Sequence, residues 1–178
     1  MPPGGIGLYD PLEYLYTRRS IRRYTNEKVS PEMIKEILLA GMAAPSTGNQ
    51  RPWEYLVVDD REKMIEITKV HNLSESLKEA SFGILVAANL NKLKYPADWW
   101  IQDCAATSQN MLIAINMLKL GGVWLGVYPY EDRVAGVRKI FGLSEDIVPF
   151  SMISVGYPAE TRRSKKDYHE EIVHWNKW

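Results

Sequence analysis

The chain has 178 residues, 46% of them hydrophobic and 25% charged, a length of about one domain and a mixture that excludes a disordered or fibrous protein. Its 22 Lys plus Arg are balanced by 22 Asp plus Glu, which leaves no global positive field to draw in nucleic acid. The single cysteine, Cys104, excludes an internal disulfide or a cysteine cluster for a metal, and reads as core packing.

In chain order, residues 1–5 carry no basic region followed by an apolar segment, so no secretory leader is visible. The longest apolar run, 82–88, is far shorter than the roughly 20 residues that cross a bilayer, so the expectation is a cytoplasmic protein with no membrane partner. Asp10 and Pro11 suit the start of a short helix over 11–17, which runs into Arg18-Arg19-Ser20-Ile21-Arg22-Arg23-Tyr24. Four guanidinium groups that cannot lose their charge, so close together, call for a phosphate or paired carboxylates; the ordinary alternative is a solvated charged face. With no net charge in the chain, a small anionic ligand fits better than a polyanion.

Ser30, Pro31 and Glu32 open the next helix, whose apolar positions 33, 34, 37, 38 and 42 follow helical spacing and stop before Pro45. Pro45-Ser46-Thr47-Gly48-Asn49-Gln50-Arg51-Pro52-Trp53 is a run of turn formers, a loop whose backbone is free to point at a ligand. Residues 53–58 read as a strand, Asp60 as the cap of a helix containing Met64, Ile65 and Ile67, and 73–80 as another short helix. The apolar run 82–88 is a central strand buried on both faces. Residues 98–120 form a widely apolar helix, whose stripe suits either core packing or a dimer contact, and Gly121-Gly122 are expected to end it. A strand over 123–128, a helix over 132–141 closed by Gly142 and a strand over 148–155 follow. Strands interleaved with helices, without a strict βαβ repeat, predict an α+β fold with a mostly antiparallel central sheet flanked by helices. The last 20 residues are polar up to Ile172 and, extended, reach roughly 60 Å, enough to cross onto another subunit.

No metalloprotease, Walker, nucleophile-elbow or dinucleotide-binding motif is present, and His71 is far in sequence from His169 and His174, so neither a metal site nor a catalytic side chain is assigned.

Arg-Arg-Ser-Ile-Arg at 18–22, Ala-Pro-Ser-Thr-Gly-Asn-Gln-Arg-Pro-Trp at 44–53, the stretch Gly121 to Gly126, Gly156-Tyr157-Pro158 and Glu170-Glu171-Ile172-Val173-His174-Trp175 occur in an order and spacing that resembles the FMN-dependent nitroreductase family. The resemblance spans nearly the whole chain. It implies one nitroreductase-like domain over 1–178 in an obligate homodimer, with 158–178 an arm exchanged onto the partner and 170–175 adding a strand to the partner's sheet.

For the site it implies FMN, with Arg18 and Ser20 on the phosphate, Arg19 assisting, and Arg22 at the N1/C2-oxygen edge, where a fixed charge favours the reduced ring. Arg23 is left to a surface salt bridge. The loop would serve the other subunit's flavin through Pro45, Ser46, Thr47 and Asn49, while Arg51, Pro52 and Trp53 orient the strand that follows. The backbone of Trp124, Leu125 and Gly126 would lie near the reactive N5. Lys165 and Lys166 align best with the family's C-terminal phosphate ligands, with Arg162 and Arg163 as rivals.

Two departures stand out. Leu73 and Ser76 occupy places where many members carry a pyrimidine-gripping Asn and Lys, and no helical insertion covers the substrate pocket. Residues 91–100 could roof that pocket, Tyr95, Trp99 and Trp100 either stacking on a flat substrate or simply packing. The implied activity is an oxidoreductase taking hydride from NAD(P)H and passing it, by a ping-pong cycle at flavin N5, to a small electron-poor acceptor such as a nitroaromatic or quinone. Other flavin reactions on this fold (dehalogenation, heterocycle oxidation, flavin fragmentation), a non-catalytic FMN-binding or regulatory module, and a flavin-free clamp for a phospho-ligand are the alternatives.

Overall fold

The computed structural model describes Asp10, residues 12–164 and residues 166–178. Four strands, β1 (Trp53–Val58), β2 (Phe82–Asn89), β3 (Gly121–Gly126) and β4 (Ile147–Gly156), form one fully antiparallel sheet in the order β1-β2-β4-β3. The α+β expectation therefore holds. β2 and β4 occupy the interior, and both of their faces are covered. Successive side chains of a strand point to opposite faces. Accordingly Ile84, Val86 and Ile153 pack with α2 (Pro31–Met42) and α4 (Trp99–Met117), while Leu85 and Met152 pack with α3 (Arg61–Val70) and α5 (Glu131–Phe141). Double burial is why the 82–88 run is continuous rather than alternating.

The caps behave as their residue types dictate. Ser30 Oγ accepts the Met33 N–H at 3.3 Å and Asp60 Oδ1 accepts the N–H groups of Glu62 and Lys63 at 2.8 and 3.1 Å. Each such cap is worth about 1 kcal/mol. Gly142 ends α5 in the left-handed region at φ 63°, where a side chain would be strained. The stripe of α4 is a core stripe: Cys104, Met111 and Ile115 are fully buried, each large apolar side chain contributing about 1.5–3 kcal/mol. Among the described residues no helix is long and apolar enough to cross a membrane.

Three expectations are corrected. Gly121-Gly122 do not end α4. The helix stops at Met117, Lys119 makes the left-handed turn at φ 61°, and the two glycines open β3. They are needed for close approach: a Cβ on Gly121 would stand 2.6 Å from Ile21 Cγ2, and the Gly122 carbonyl accepts the Ile21 N–H at 3.1 Å. The short helix expected over 73–80 is only a 3-10 turn, Glu75–Lys78. The N-terminal helix α1 is Glu13–Thr17; Asp10 Oδ1 accepts the Leu12 N–H at 3.0 Å just ahead of it, and Pro11 lies outside the described residues. Within its own chain Glu170–Ile172 makes a 3-10 turn, with the Ile172 and Val173 N–H groups bonded locally to His169 and Glu170 carbonyls.

Candidate functional site

The arginine segment lies along the start of β3, with Ser20 bridged in parallel to Gly122. Beneath it, the Tyr24 hydroxyl donates to the Ile21 carbonyl at 2.6 Å and sits 2.8 Å from Ser154 Oγ, which is 2.9 Å from Ser76 Oγ. Burial pushes the Tyr24 pKa up, so this hydroxyl stays a neutral donor. Two carboxylates fix the outer side. Glu160 accepts the Arg22 N–H at 2.7 Å and Arg162 Nη2 at 2.8 Å, and Glu79 accepts Arg23 Nε at 2.9 Å and the Tyr24 N–H at 3.3 Å. The Arg22 N–H holds Glu160 below the usual carboxylate range, and Arg23 does the same to Glu79. Arg23 is thus the surface salt bridge expected of it.

This anchoring sorts the guanidinium groups to two hollows that share the segment and β3 as a wall. One, of about 350 Å³, is lined by Arg18, Arg19, Lys119 and Arg162, with Glu13 and Glu160. The other, of about 560 Å³, is lined by Arg22, Asn72, Ser76, Arg133 and the stretch Trp124 to Gly126. In that stretch the Trp124 ring packs edge-on against Phe150 at 5.7 Å and Leu125 is buried on the opposite face. What remains for the hollow is chiefly backbone and the bare Cα of Gly126, where an added Cβ would meet nothing within 4 Å.

The C-terminal cations separate. Arg162, the rival, is the one brought beside Arg18 and Arg19. Lys166 instead lies 4.6 Å over the Tyr16 ring in a separate shallow hollow, and Lys165 lies outside the described residues.

The loop 45–51 is a separate construction. Asp103, 3% exposed on α4, accepts the Thr47 N–H at 2.7 Å, the Thr47 hydroxyl at 3.2 Å and Gln50 Nε2 at 2.7 Å. Gln50 Oε1 accepts the Lys94 N–H at 3.0 Å, which ties the 90–98 segment to the loop. Ser46 Oγ accepts the Arg51 N–H at 3.0 Å and Asn49 Oδ1 accepts Arg51 Nε at 2.8 Å. Gly48, Asn49 and Arg51 all have positive φ, and the Tyr95 ring lies against Gly48 so closely that no side chain fits there. None of residues 45–51, Pro45 included, lines either hollow of its own chain.

Of the three aromatic residues offered as a stacking surface, Tyr95 and Trp99 are more than 40% exposed. Trp100 is corrected: it is 5% exposed and packs edge-on against Tyr128 at 4.8 Å and Phe150 at 6.3 Å, a core side chain. Sequence reading passed over Asp103, Gln50, Asn72 and Arg133. Asp103 had a signal, an acid at helical spacing on the buried face shared by Trp100, Cys104 and Met111. Asn72 sits one place before Leu73, where a pyrimidine ligand was sought. His71 beside it is buried, and burial followed by the charge of Arg133 lowers its pKa, so it stays neutral.

The family model described as "Nitroreductase family" matches residues 15–81 and 68–157. A candidate NADH dehydrogenase/NAD(P)H nitroreductase of Archaeoglobus fulgidus is 42% identical over 174 residues, 94% of this chain and 98% of its own length. Among solved structures, a protein of the same description from Parabacteroides distasonis superposes with a TM-score of 0.89 at 38% identity, covering 94% of this chain and 98% of that one. A candidate nitroreductase of Desulfovibrio desulfuricans, solved in complex with FMN, gives 0.83 at 29% identity over 96% of this chain and 99% of that one. With its arginine segment seated on β3 and a family match running through most of its length, this chain belongs to the nitroreductase family.

Proposed function

We propose that this chain is an NAD(P)H-dependent FMN oxidoreductase, working as a homodimer and reducing a small electron-poor acceptor such as a nitroaromatic or quinone by a ping-pong cycle. The observation that carries the reading is the division of cations along β3: Arg18, Arg19, Lys119 and Arg162 gather at one hollow, and Arg22 stands with Arg133, an amide and bare backbone at the next. That donor set suits a flavin mononucleotide, whose phosphate wants guanidinium forks and whose ring wants donors and a flat wall. An FMN complex of a relative 29% identical supports it.

Bound FMN supplies a ring that accepts a hydride from NAD(P)H and yields it to an acceptor. The chain's own part is positioning and electrostatics. Arg18, Arg19, Ser20 and Arg162 hold the phosphate, with Lys119 adding charge. Arg22 places a fixed cation where negative charge gathers on reduction, a stabilisation made before the electrons arrive. The backbone of Trp124, Leu125 and Gly126 orients the ring. No side chain has to act as acid or base, consistent with the scattered histidines.

The loop residues Pro45, Ser46, Thr47 and Asn49, absent from both hollows of their own chain, serve the partner's flavin, and the arm beyond Lys166, over 167–178, lies on the partner. Tyr95 and Trp99, carried beside that loop, form the acceptor's stacking surface.

The test is anaerobic titration of the purified protein with NADH and NADPH, followed by a panel of acceptors. Yellow protein that bleaches on nucleotide addition and recovers with an acceptor is expected. A colourless protein that takes up no added FMN overturns the proposal, and a yellow protein that neither nucleotide bleaches reduces it to a flavin store. Sedimentation that finds a monomer removes the shared site.

A further inference from the structure

Arg133 lines the larger hollow, and its surroundings are unusual for a surface arginine. It stands in the first turn of α5, at the positive end of the helix dipole, beside Glu131 and Asp132, which suit that end as it does not. Its side chain runs back over the Tyr130 ring, with Cζ 4.1 Å from the ring centre. The fork then spans two groups of the larger hollow: Nη1 donates to the Gly126 carbonyl at 2.9 Å and Nη2 donates to Asn72 Oδ1 at 3.4 Å.

Each contact has a consequence for the hollow. The peptide between Gly126 and Val127 is held from both sides, because the Val127 N–H donates to the Phe150 carbonyl at 3.1 Å while Arg133 takes the Gly126 oxygen. The last turn of the β3 backbone is therefore not free to rotate. For Asn72, a guanidinium only donates, so it can face only the amide oxygen; the flipped amide would set N–H against N–H. The Nδ2 donor is thereby turned away from Arg133 and left free to serve a ligand.

We propose that Arg133 is a positioning residue of the flavin-edge hollow: it orients the Asn72 amide so that Nδ2 donates to a pyrimidine carbonyl of the bound ring, locks the Gly126 carbonyl, and adds a second fixed cation to that of Arg22. This rests on the FMN reading above. A flavin pyrimidine edge carries two carbonyl acceptors and one N–H, so a presented amide donor matches it better than a presented amide oxygen. Leu73 has no donor to give, and the pair formed by Asn72 and Arg133 fills that gap from one residue earlier and from a helix 61 positions away.

The test uses full-length Arg133→Lys, Arg133→Met, Asn72→Leu and Arg133→Lys/Asn72→Leu. It measures the FMN dissociation constant by fluorescence quenching, the midpoint potential by dye equilibration, and thermal stability as a folding control. Arg133→Lys keeps the charge and loses the fork. It is expected to weaken FMN binding about three- to tenfold, as Asn72→Leu does, with the potential nearly unchanged. The double variant should lose less than the sum of the two single losses, because the part of the Arg133 effect that runs through Asn72 is already gone in Asn72→Leu. Arg133→Met should in addition shift the potential to more negative values; if it fails to fold, the lysine and leucine variants carry the test. Wild-type FMN affinity in Arg133→Lys, or losses that add in the double variant, overturns this inference while leaving the flavin reading intact. A wild-type protein that binds no FMN overturns both.

Discussion

Removing the Asp103 side chain should unfasten the 45–51 loop, and the cost can be worked from its contacts. In Asp103→Ala the Thr47 N–H and Gln50 Nε2 lose their acceptor while remaining largely buried; the Thr47 hydroxyl can turn elsewhere. A buried donor left unpaired costs about 1–3 kcal/mol, so the expected loss is about 2–5 kcal/mol, Thr47 being only half-buried. For a domain of this size each kcal/mol moves the melting temperature by about 2–4 °C, which predicts a fall of about 4–20 °C by calorimetry. Asp103→Asn should cost less, about 1–2 kcal/mol, because one oxygen still serves Thr47. Its new NH₂ faces the Gln50 amide, and Gln50 cannot flip without giving up the Lys94 N–H. If the loop serves the partner's flavin, both variants should also release FMN more readily. An Asp103→Ala protein melting within about 2 °C of wild type would refute the reasoning, since the carboxyl group would then hold nothing that water does not.

Arg22→Ala should shift the flavin midpoint potential to more negative values, by loss of the cation that stabilises the reduced ring; an unchanged potential by dye equilibration removes Arg22 from that role. Gly121→Ala brings a Cβ to 2.6 Å from Ile21 Cγ2, and such overpacking costs about 1–3 kcal/mol in denaturant titrations. By displacing residues 18–22 it should also weaken FMN binding, and a variant of wild-type stability would refute the close-approach account. Glu79 has a folded pKa lowered chiefly by Arg23, so the stability it contributes is fully present above its unfolded pKa, about 4.3, and is lost as pH falls through the lower folded value. The stability difference between wild type and Glu79→Gln should therefore be level from pH 6 to 8 and shrink below about pH 4. A difference that persists unchanged to acid pH would mean that the ion pair with Arg23 is not its source.

What the amino-acid sequence determined alone was whatever rests on neighbours a few residues away. The caps at Ser30 and Asp60, the left-handed stop at Gly142, the apolar periodicity of α4 and the unbroken run of β2 are local requirements, and each formed where the residue types demanded it. The arginine run and the proline-led loop likewise stand out by residue type and spacing. Only the tertiary structure decided the rest, because those features depend on pairs distant in the chain. Gly121-Gly122 look like a helix stop until Ile21 is laid across them, about 100 residues earlier in the chain. Asp103 and Thr47, 56 residues apart, and Arg133 and Asn72, 61 apart, leave no periodic trace that could reveal either pair. The choice of Arg162 over Lys166 beside Arg18 follows from how Glu160 turns the chain after β4. Local sequence dictates which backbone conformations are cheap; which side chains meet is set by the sheet order β1-β2-β4-β3, and no stretch of the chain carries that order by itself.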